Sequence, residues 1–172
     1  MEAKERRAAI LQLLRNRTAP VTGGELAAHM GVSRQVIVQD IALLRTGGHS
    51  IFATPEGYVL PAATVQAAAR CVVAARHVTN AQMRDELQTV VDLGGTVVDV
   101  SIEHAVYGEI SAPLMLRSRM GVDVFMAHFE EGGTSPISLL TDGVHLHTLE
   151  APSQEIMQKI LEALRRKGYL VE

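Results

Sequence analysis

Apolar residues recur at helical spacing through the first third of the chain. Between Lys4 and Arg17 they fall at Ala9, Ile10, Leu13 and Leu14, and Pro20 closes the segment. Thr22 stands where an N-cap is needed for a second helix carrying Leu26, Ala27 and Met30. Gly31 supplies a turn. Ser33 then caps a third helix whose stripe is Val36, Ile37, Ile41 and Leu44. After Thr46-Gly47-Gly48 the period changes. His49 to Thr54 and Tyr58 to Leu60 read as strands around a Pro55-Glu56-Gly57 turn. Three short helices, the middle pair joined by a glycine turn, followed by a hairpin, predict a winged helix-turn-helix over residues 1–61.

The remainder, residues 62–172, mixes both periods. Small residues from Pro61 to Ala69 read as a linker running into a strand with Cys71, Val73, Ala75 and His77 on one face. Thr79 or Asn80 caps a helix with Met83, Leu87, Val90 and Val91 on its apolar side, stopped by Gly94-Gly95. Strands follow over 96–104, with Val98, Val100, Ile102 and His104 on one face, and over 108–116. Ser118 caps a helix reaching Glu131. Residues 137–141 and 144–150 read as two strands joined at Asp142-Gly143, a strong two-residue hairpin signal. Ser153 caps a last helix through Lys167, with Gly168 as its stop and a short strand at 169–171. The order β-α-β-β-α-β-β-α predicts a two-layer α/β sandwich, HPr-like in its element order. The whole chain is therefore expected to be α+β.

Composition adds to this picture in three places. Aromatic residues make up only 3% of the 172, without Trp, so the cores must be aliphatic. The single cysteine, Cys71, excludes an intramolecular disulfide and fits a reducing, cytoplasmic setting. No apolar run approaches the ~20 residues that span a bilayer, so no membrane partner is expected. Charge is uneven. Up to Leu60 there are 7 Lys and Arg against 5 Asp and Glu, a net +2; beyond it there are 9 against 14, a net −5. Five of the seven histidines also lie beyond Leu60. The two parts are built for different tasks, and the first is only mildly basic.

Two stretches carry candidate chemistry. On the third helix, Ser33, Arg34, Gln35, Gln39 and Arg45 stay off the apolar stripe, with Arg34 and Gln35 in the first turn. That is where a recognition helix meets base edges, Arg pairing with guanine and Gln with adenine. The alternative is an ordinary solvated helix face. The second stretch is Val144 to Glu150. In a strand His145 and His147 share a face with Cα atoms roughly 7 Å apart, so both imidazoles can converge on one divalent ion. The alternative is a surface strand with two polar residues. Glu86 lies at the edge of its helix's apolar face, whereas Asp85 points toward water, so Glu86 is the carboxylate to join an inward-facing site. His104 follows three apolar positions and is either a core-edge or a pocket residue.

Four pieces occur together: the winged helix-turn-helix around Ser33 to Arg45; His77 followed by the Gln82 to Leu87 helix; Val100-Ser101-Ile102-Glu103-His104-Ala105-Val106-Tyr107-Gly108-Glu109-Ile110; and Thr141-Asp142-Gly143-Val144-His145-Leu146-His147-Thr148-Leu149-Glu150-Ala151. Over essentially the whole chain they resemble the three-histidine (3H) domain regulators, nicotinate-responsive repressors of NAD biosynthesis and niacin uptake genes. The resemblance implies a homodimer on an inverted-repeat DNA operator. It also implies one divalent metal per chain, held by His77, Glu86, His145 and His147, and nicotinic acid as co-repressor. Three histidines and a carboxylate suit Zn, Ni, Co or Fe(II) better than Ca or Mg. His104 and Tyr107 are the candidate effector contacts. Two other readings compete: the metal itself is the effector, or the domain is a metalloenzyme. Against the latter, no acid–base pair or nucleophile constellation stands out near the histidine pair.

Overall fold

The computed structural model describes residues 2–60 and 69–171. The chain divides into two compact units, residues 1–65 and 66–172. The expected boundary after residue 61, and the expected linker up to Ala68, lie outside the described residues.

In the first unit, α1 (Ala3–Asn16), α2 (Gly23–Met30) and α3 (Arg34–Thr46) precede a two-stranded hairpin, β1 (Phe52–Thr54) and β2 (Gly57–Val59). Glu2 with Glu5, and Thr22 with Glu25, form capping boxes at α1 and α2. Ser33 Oγ accepts from the Val36 N–H at the head of α3. Gly31 ends α2 with φ +67°, which frees the next helix to turn sharply. Val21 exchanges both backbone hydrogen bonds with Tyr58, so the hairpin is pinned beside the start of α2. Ile10, Leu14, Leu26, Met30, Ile37, Ile41, Leu44 and Ile51 form the core. The expected winged helix-turn-helix is present, with a hairpin shorter than the alternation suggested.

The second unit runs β3 (Ala69–Arg76), α4 (Asn80–Asp92), β4 (Thr96–His104), β5 (Gly108–Leu116), α5 (Arg119–Gly132), a 3-10 turn (Ile137–Thr141), β6 (Val144–Ala151) and α6 (Gln154–Arg166). The four strands form one antiparallel sheet in the order β3-β6-β4-β5. Its helix-side residues, among them Val97, Leu116 and Leu149, pack with Leu87, Val90, Met126, Ile160 and Leu164 into an aliphatic core. Leu170 forms a single bridge to Ala75, all that remains of the expected last strand.

Two local expectations are corrected. Residues 137–141 are a 3-10 helix, not a strand. Asp142 and Gly143 do adopt the positive φ values (+52° and +86°) of the anticipated turn. The segment before them coils instead of pairing: Pro136 starts it, and the Ser138 carbonyl accepts from the Gly143 N–H at 2.8 Å and from Thr141 Oγ1. The second correction is in β4. Its register slips between Val97 and Asp99 against β5, and between Val97 and Ser101 against β6. Val97, not Val98, is therefore in the core, while Val100 and Ile102 keep the expected face.

Candidate metal centre and nucleic-acid interface

The sheet and α4 bring His77, Glu86, His145 and His147 together. His77 follows the last residue of β3, on the same face as Ala75. β6 runs beside β3, with Ala75 opposite His145 and Val73 opposite His147. The three imidazoles therefore emerge from adjacent strands toward α4. Their ring centroids are 4.5 Å apart for His77 and His145, and 4.7 Å for His145 and His147. Thr79 caps α4, accepting from the Gln82 N–H while Gln82 reaches back, and this fixes the start of the helix that delivers Glu86.

Glu86 is 2% exposed and sits among the three rings. Its Oε2 lies 2.7 Å from His77 Nδ1; its Oε1 lies 3.4 Å from His145 Nε2 and 3.5 Å from His147 Nε2. The ligand atoms of His77, Glu86 and His145 all fall within 4.8 Å of one another. Burial pushes the Glu86 carboxyl up, but hydrogen bonds from His145 and His77 and the fields of His147 and His145 outweigh it and bring it down to about 2. Burial pushes His147 down, toward the neutral ring, against the attraction of Glu86. An ionised Glu86 carboxylate beside a His147 ring held toward its neutral form favours binding of a cation.

Backbone carbonyls set the ring orientations. His145 Nδ1 donates to the Gly143 carbonyl at 2.9 Å, and His147 Nδ1 donates to the Asp99 carbonyl at 2.6 Å. A carbonyl can only accept, so each of these Nδ1 atoms carries a hydrogen and each Nε2 is turned toward Glu86; loss of the Nε2 proton leaves a lone pair pointing there. His77 is turned the other way, Nδ1 toward Glu86 and Nε2 toward Ser138 Oγ at 3.5 Å. His147 Nε2 is a buried polar atom with no hydrogen-bond partner among the described residues. Such an orphan calls for an explanation, and a lone pair aimed at a cation is one. Ligand atoms around a tetrahedral ion with ~2.0–2.1 Å bonds are separated by about 3.3 Å. The 3.4 and 3.5 Å separations of His145 and His147 Nε2 from Glu86 Oε1 are close to that figure, and His77 Nδ1 is nearer, 2.7 Å from Oε2. His77, Glu86 and His145 could hold a divalent transition metal, and His147 Nε2 lies 3.5 Å from the same carboxylate.

Asp85 is engaged elsewhere. Its carboxylate accepts from Lys167 Nζ and from the Tyr169 hydroxyl, both at 2.8 Å. The hydrogen bond from Lys167 holds the Asp85 carboxyl down. Burial, with the bond to Asp85, pushes Tyr169 up to about 12. The helix-face argument for Glu86 over Asp85 agrees with this geometry.

Three contributors were not anticipated. The β4 slip turns the Asp99 carbonyl toward His147, while Asp99 Oδ1 accepts from the Thr148 N–H at 2.9 Å. An Asp amid β-branched residues was the legible signal. Ser138 had none, since it belonged to a presumed strand. Gly143 is needed because a Cβ there would lie 2.2 Å from the His77 carbonyl oxygen, on a backbone already at φ +86°.

His104 and Tyr107 are at the β4–β5 hairpin end, where His104 pairs with Gly108. Their rings stack at 5.1 Å, and His104 Nδ1 accepts from the Val106 and Tyr107 N–H groups. Tyr107 is 77% exposed.

In the first unit, Ser33, Arg34, Gln35 and Gln39 are exposed on the head and outer face of α3, as expected of a recognition helix. Arg34 runs across Gly23 beside Tyr58, over the head of α2. Arg45 is exposed, but its Nε donates to the Ile51 carbonyl at 2.7 Å and ties α3 to the approach of the wing. Asp40, which the sequence did not mark out, is 2% exposed and bonded to Arg6 at 2.6 Å and Arg7 at 3.4 Å. Its place between Ile37, Ile41 and Leu44 on the inward stripe was the signal of its burial.

A winged helix-turn-helix in front of an α/β domain with a buried ligand cluster defines a DNA-binding regulator. Residues 6–59 match the model of an HTH domain, and residues 70–172 match that of the 3H domain. The chain belongs to the 3H-domain family. It is 44% identical over 169 residues to the probable transcription repressor NiaR of Thermotoga maritima, covering 98% of this chain and 95% of that protein. It is 42% identical to the transcription repressor NadR of Bacillus subtilis, over 97% of this chain and 93% of that one. Both relatives are named as transcription repressors, which favours a DNA-binding regulator over the metalloenzyme reading. No helix among the described residues is long and apolar enough to cross a membrane.

Proposed function

We propose that this chain is a transcription repressor of NAD biosynthesis and niacin uptake genes, acting as a homodimer with nicotinic acid as co-repressor. The observation that carries the sensing half of this reading is the convergence of His145 Nε2, His147 Nε2 and His77 Nδ1 on the buried Glu86 carboxylate. His77, Glu86, His145 and His147 would hold one divalent transition metal, which supplies a Lewis-acidic anchor for a carboxylate or a pyridine nitrogen. The Gly143 and Asp99 carbonyls hold two of the rings in the ligating tautomer, and Ser138 orients the third. His104 and Tyr107 are the effector contacts in this reading, as a stacked pair at the end of β4.

In the DNA-binding unit, the exposed Gln35 and Gln39 read base edges, and Arg34 meets either a base or the backbone beside the head of α2. Two such units spaced by about 34 Å on successive major grooves require an inverted-repeat operator. Nicotinic acid acts by favouring the dimer arrangement with that spacing, and linkage then requires that operator DNA tighten nicotinic acid binding by the same factor.

The test is selection of random duplex DNA on metal-loaded protein, with and without nicotinic acid. The reading expects an inverted repeat enriched with nicotinic acid and depleted without it or with nicotinamide. Equal enrichment in all arms, lost only on chelation, would contradict it and make the metal itself the effector.

A further inference from the structure

The sheet of the second unit has helices on one face only. Its other face carries Arg70, Val72, Ala74 and Arg76 from β3; Val144, Leu146, Thr148 and Glu150 from β6; Ser101 and Glu103 from β4; and Glu109 and Ser111 from β5. Val72 is 63% exposed, and Val144 and Leu146 are more than a third exposed. These three, with Ala74, form an apolar centre flanked by charge.

The charges are arranged asymmetrically. Glu103 stands directly across from Glu109, two like charges on one face of a strand pair, and neither has a cationic partner among the described residues. Facing like charges destabilise a strand pair unless something neutralises them. On the opposite edge, Arg76 Nε donates to the Asp142 carbonyl, and its guanidinium has no carboxylate partner among the described residues. Arg70, by contrast, is already paired with Glu150 at 3.2 Å. Arg76 pairs with Val144, and continuing the Leu146–Ser101 register places Glu103 and Glu109 in that same row. The row therefore reads Arg, Val, Glu, Glu across the sheet.

We infer that this open face is where two copies of the chain meet. A twofold axis parallel to the strands, midway between β6 and β4, lays each β3 over the partner's β5, with the sheets ~10 Å apart. Each Arg76 then faces the partner's Glu109 and Glu103, and the exposed Leu146 lies over the partner's Ser101, a small residue only 6% exposed between its neighbours. The row is self-complementary under that operation. Four strands at ~4.8 Å by about 27 Å of length give roughly 500 Å² per copy, near 1,000 Å² in total, the small end of specific interfaces. The dimer is correspondingly weak and open to adjustment. Val144 and Leu146 alternate with His145 and His147, so one strand presents the ligand cluster to one side and the interface to the other.

This inference rests on the homodimer of the proposed function. It is tested by sedimentation velocity of the full chain at 1–100 μM, without DNA or nicotinic acid, so that its failure is separable from failure of repression. Wild type is expected to shift from monomer toward dimer across that range. Arg76→Glu and Glu109→Arg should each weaken association at least tenfold, Val72→Asp likewise, and the double variant Arg76→Glu/Glu109→Arg should restore it. A monomeric wild type, singles that dimerise like wild type, or a double variant that stays as weak as the singles would overturn the proposal. Far-ultraviolet circular dichroism checks that each variant is folded.

Discussion

At the scale of single residues, the second unit separates two adjacent carboxylates by what surrounds them. Glu86 faces three imidazoles, and Asp85 faces an ammonium and a phenol. Glu86→Gln is accordingly expected to weaken metal binding by about a hundredfold or more, whereas Asp85→Asn leaves it within a few-fold. Competition titration against a chromophoric chelator reads both. Ser138→Ala removes the group that orients His77 and should cost about tenfold in the same assay. Gly143→Ala is expected to destabilise the second unit by roughly 2–4 kcal/mol in urea unfolding, because the new Cβ must displace the His77 carbonyl from a strained backbone. The members of the buried cluster were readable: His145 and His147 from strand period, Glu86 from helix angle. Gly143 was readable as a turn but not as a close approach, since that depends on where another strand ends.

At the scale of elements, the site depends on one irregularity. A regular β4 would spend its carbonyls on the ladder; the slip at Val98 leaves the Asp99 carbonyl for His147. Asp99 Oδ1 holds the Thr148 N–H, so Asp99→Ala leaves a largely buried donor unpaired. It should lower the stability of the second unit by about 1–3 kcal/mol and loosen metal binding with it. Denaturation with and without metal separates the two effects. Periodicity recovered every helix to within a residue or two and the strands of the sheet, because amphipathic stripes and caps are local. It assigned 137–141 as a strand because a short apolar run has no decisive period. The side-chain and backbone hydrogen bonds of Thr141 and Gly143 to Ser138 coil that run into a 3-10 turn. In α3 the buried Asp40 joins the recognition helix to Arg6 and Arg7 of α1. Asp40→Asn should lower the melting temperature of the first unit alone, leaving metal binding unchanged, as two-transition calorimetry can show.

At the scale of the whole molecule, the charge division between the two units matches their division of labour. The DNA-binding unit is only mildly basic, so non-specific phosphate attraction is modest and selectivity falls to base-edge contacts. Gln35→Ala or Gln39→Ala should cost about 1–3 kcal/mol against the selected operator and little against random duplex, measured by anisotropy at fixed salt. The sequence displayed this two-part plan through its change of period and charge near Leu60. Only the folded sheet reveals that β6 turns His145 and His147 into the buried cluster and Val144 and Leu146 to the open face. Sensing of nicotinic acid is here proposed to reside in the buried cluster. It is tested most directly by calorimetric titration of nicotinic acid into metal-loaded and chelator-stripped protein, with nicotinamide as control. Saturable 1:1 binding of the acid to the metal-loaded form is expected, with at least a hundredfold weaker binding after stripping and none of the amide. Equal binding by a verified metal-free protein, or no binding by either form, would contradict it.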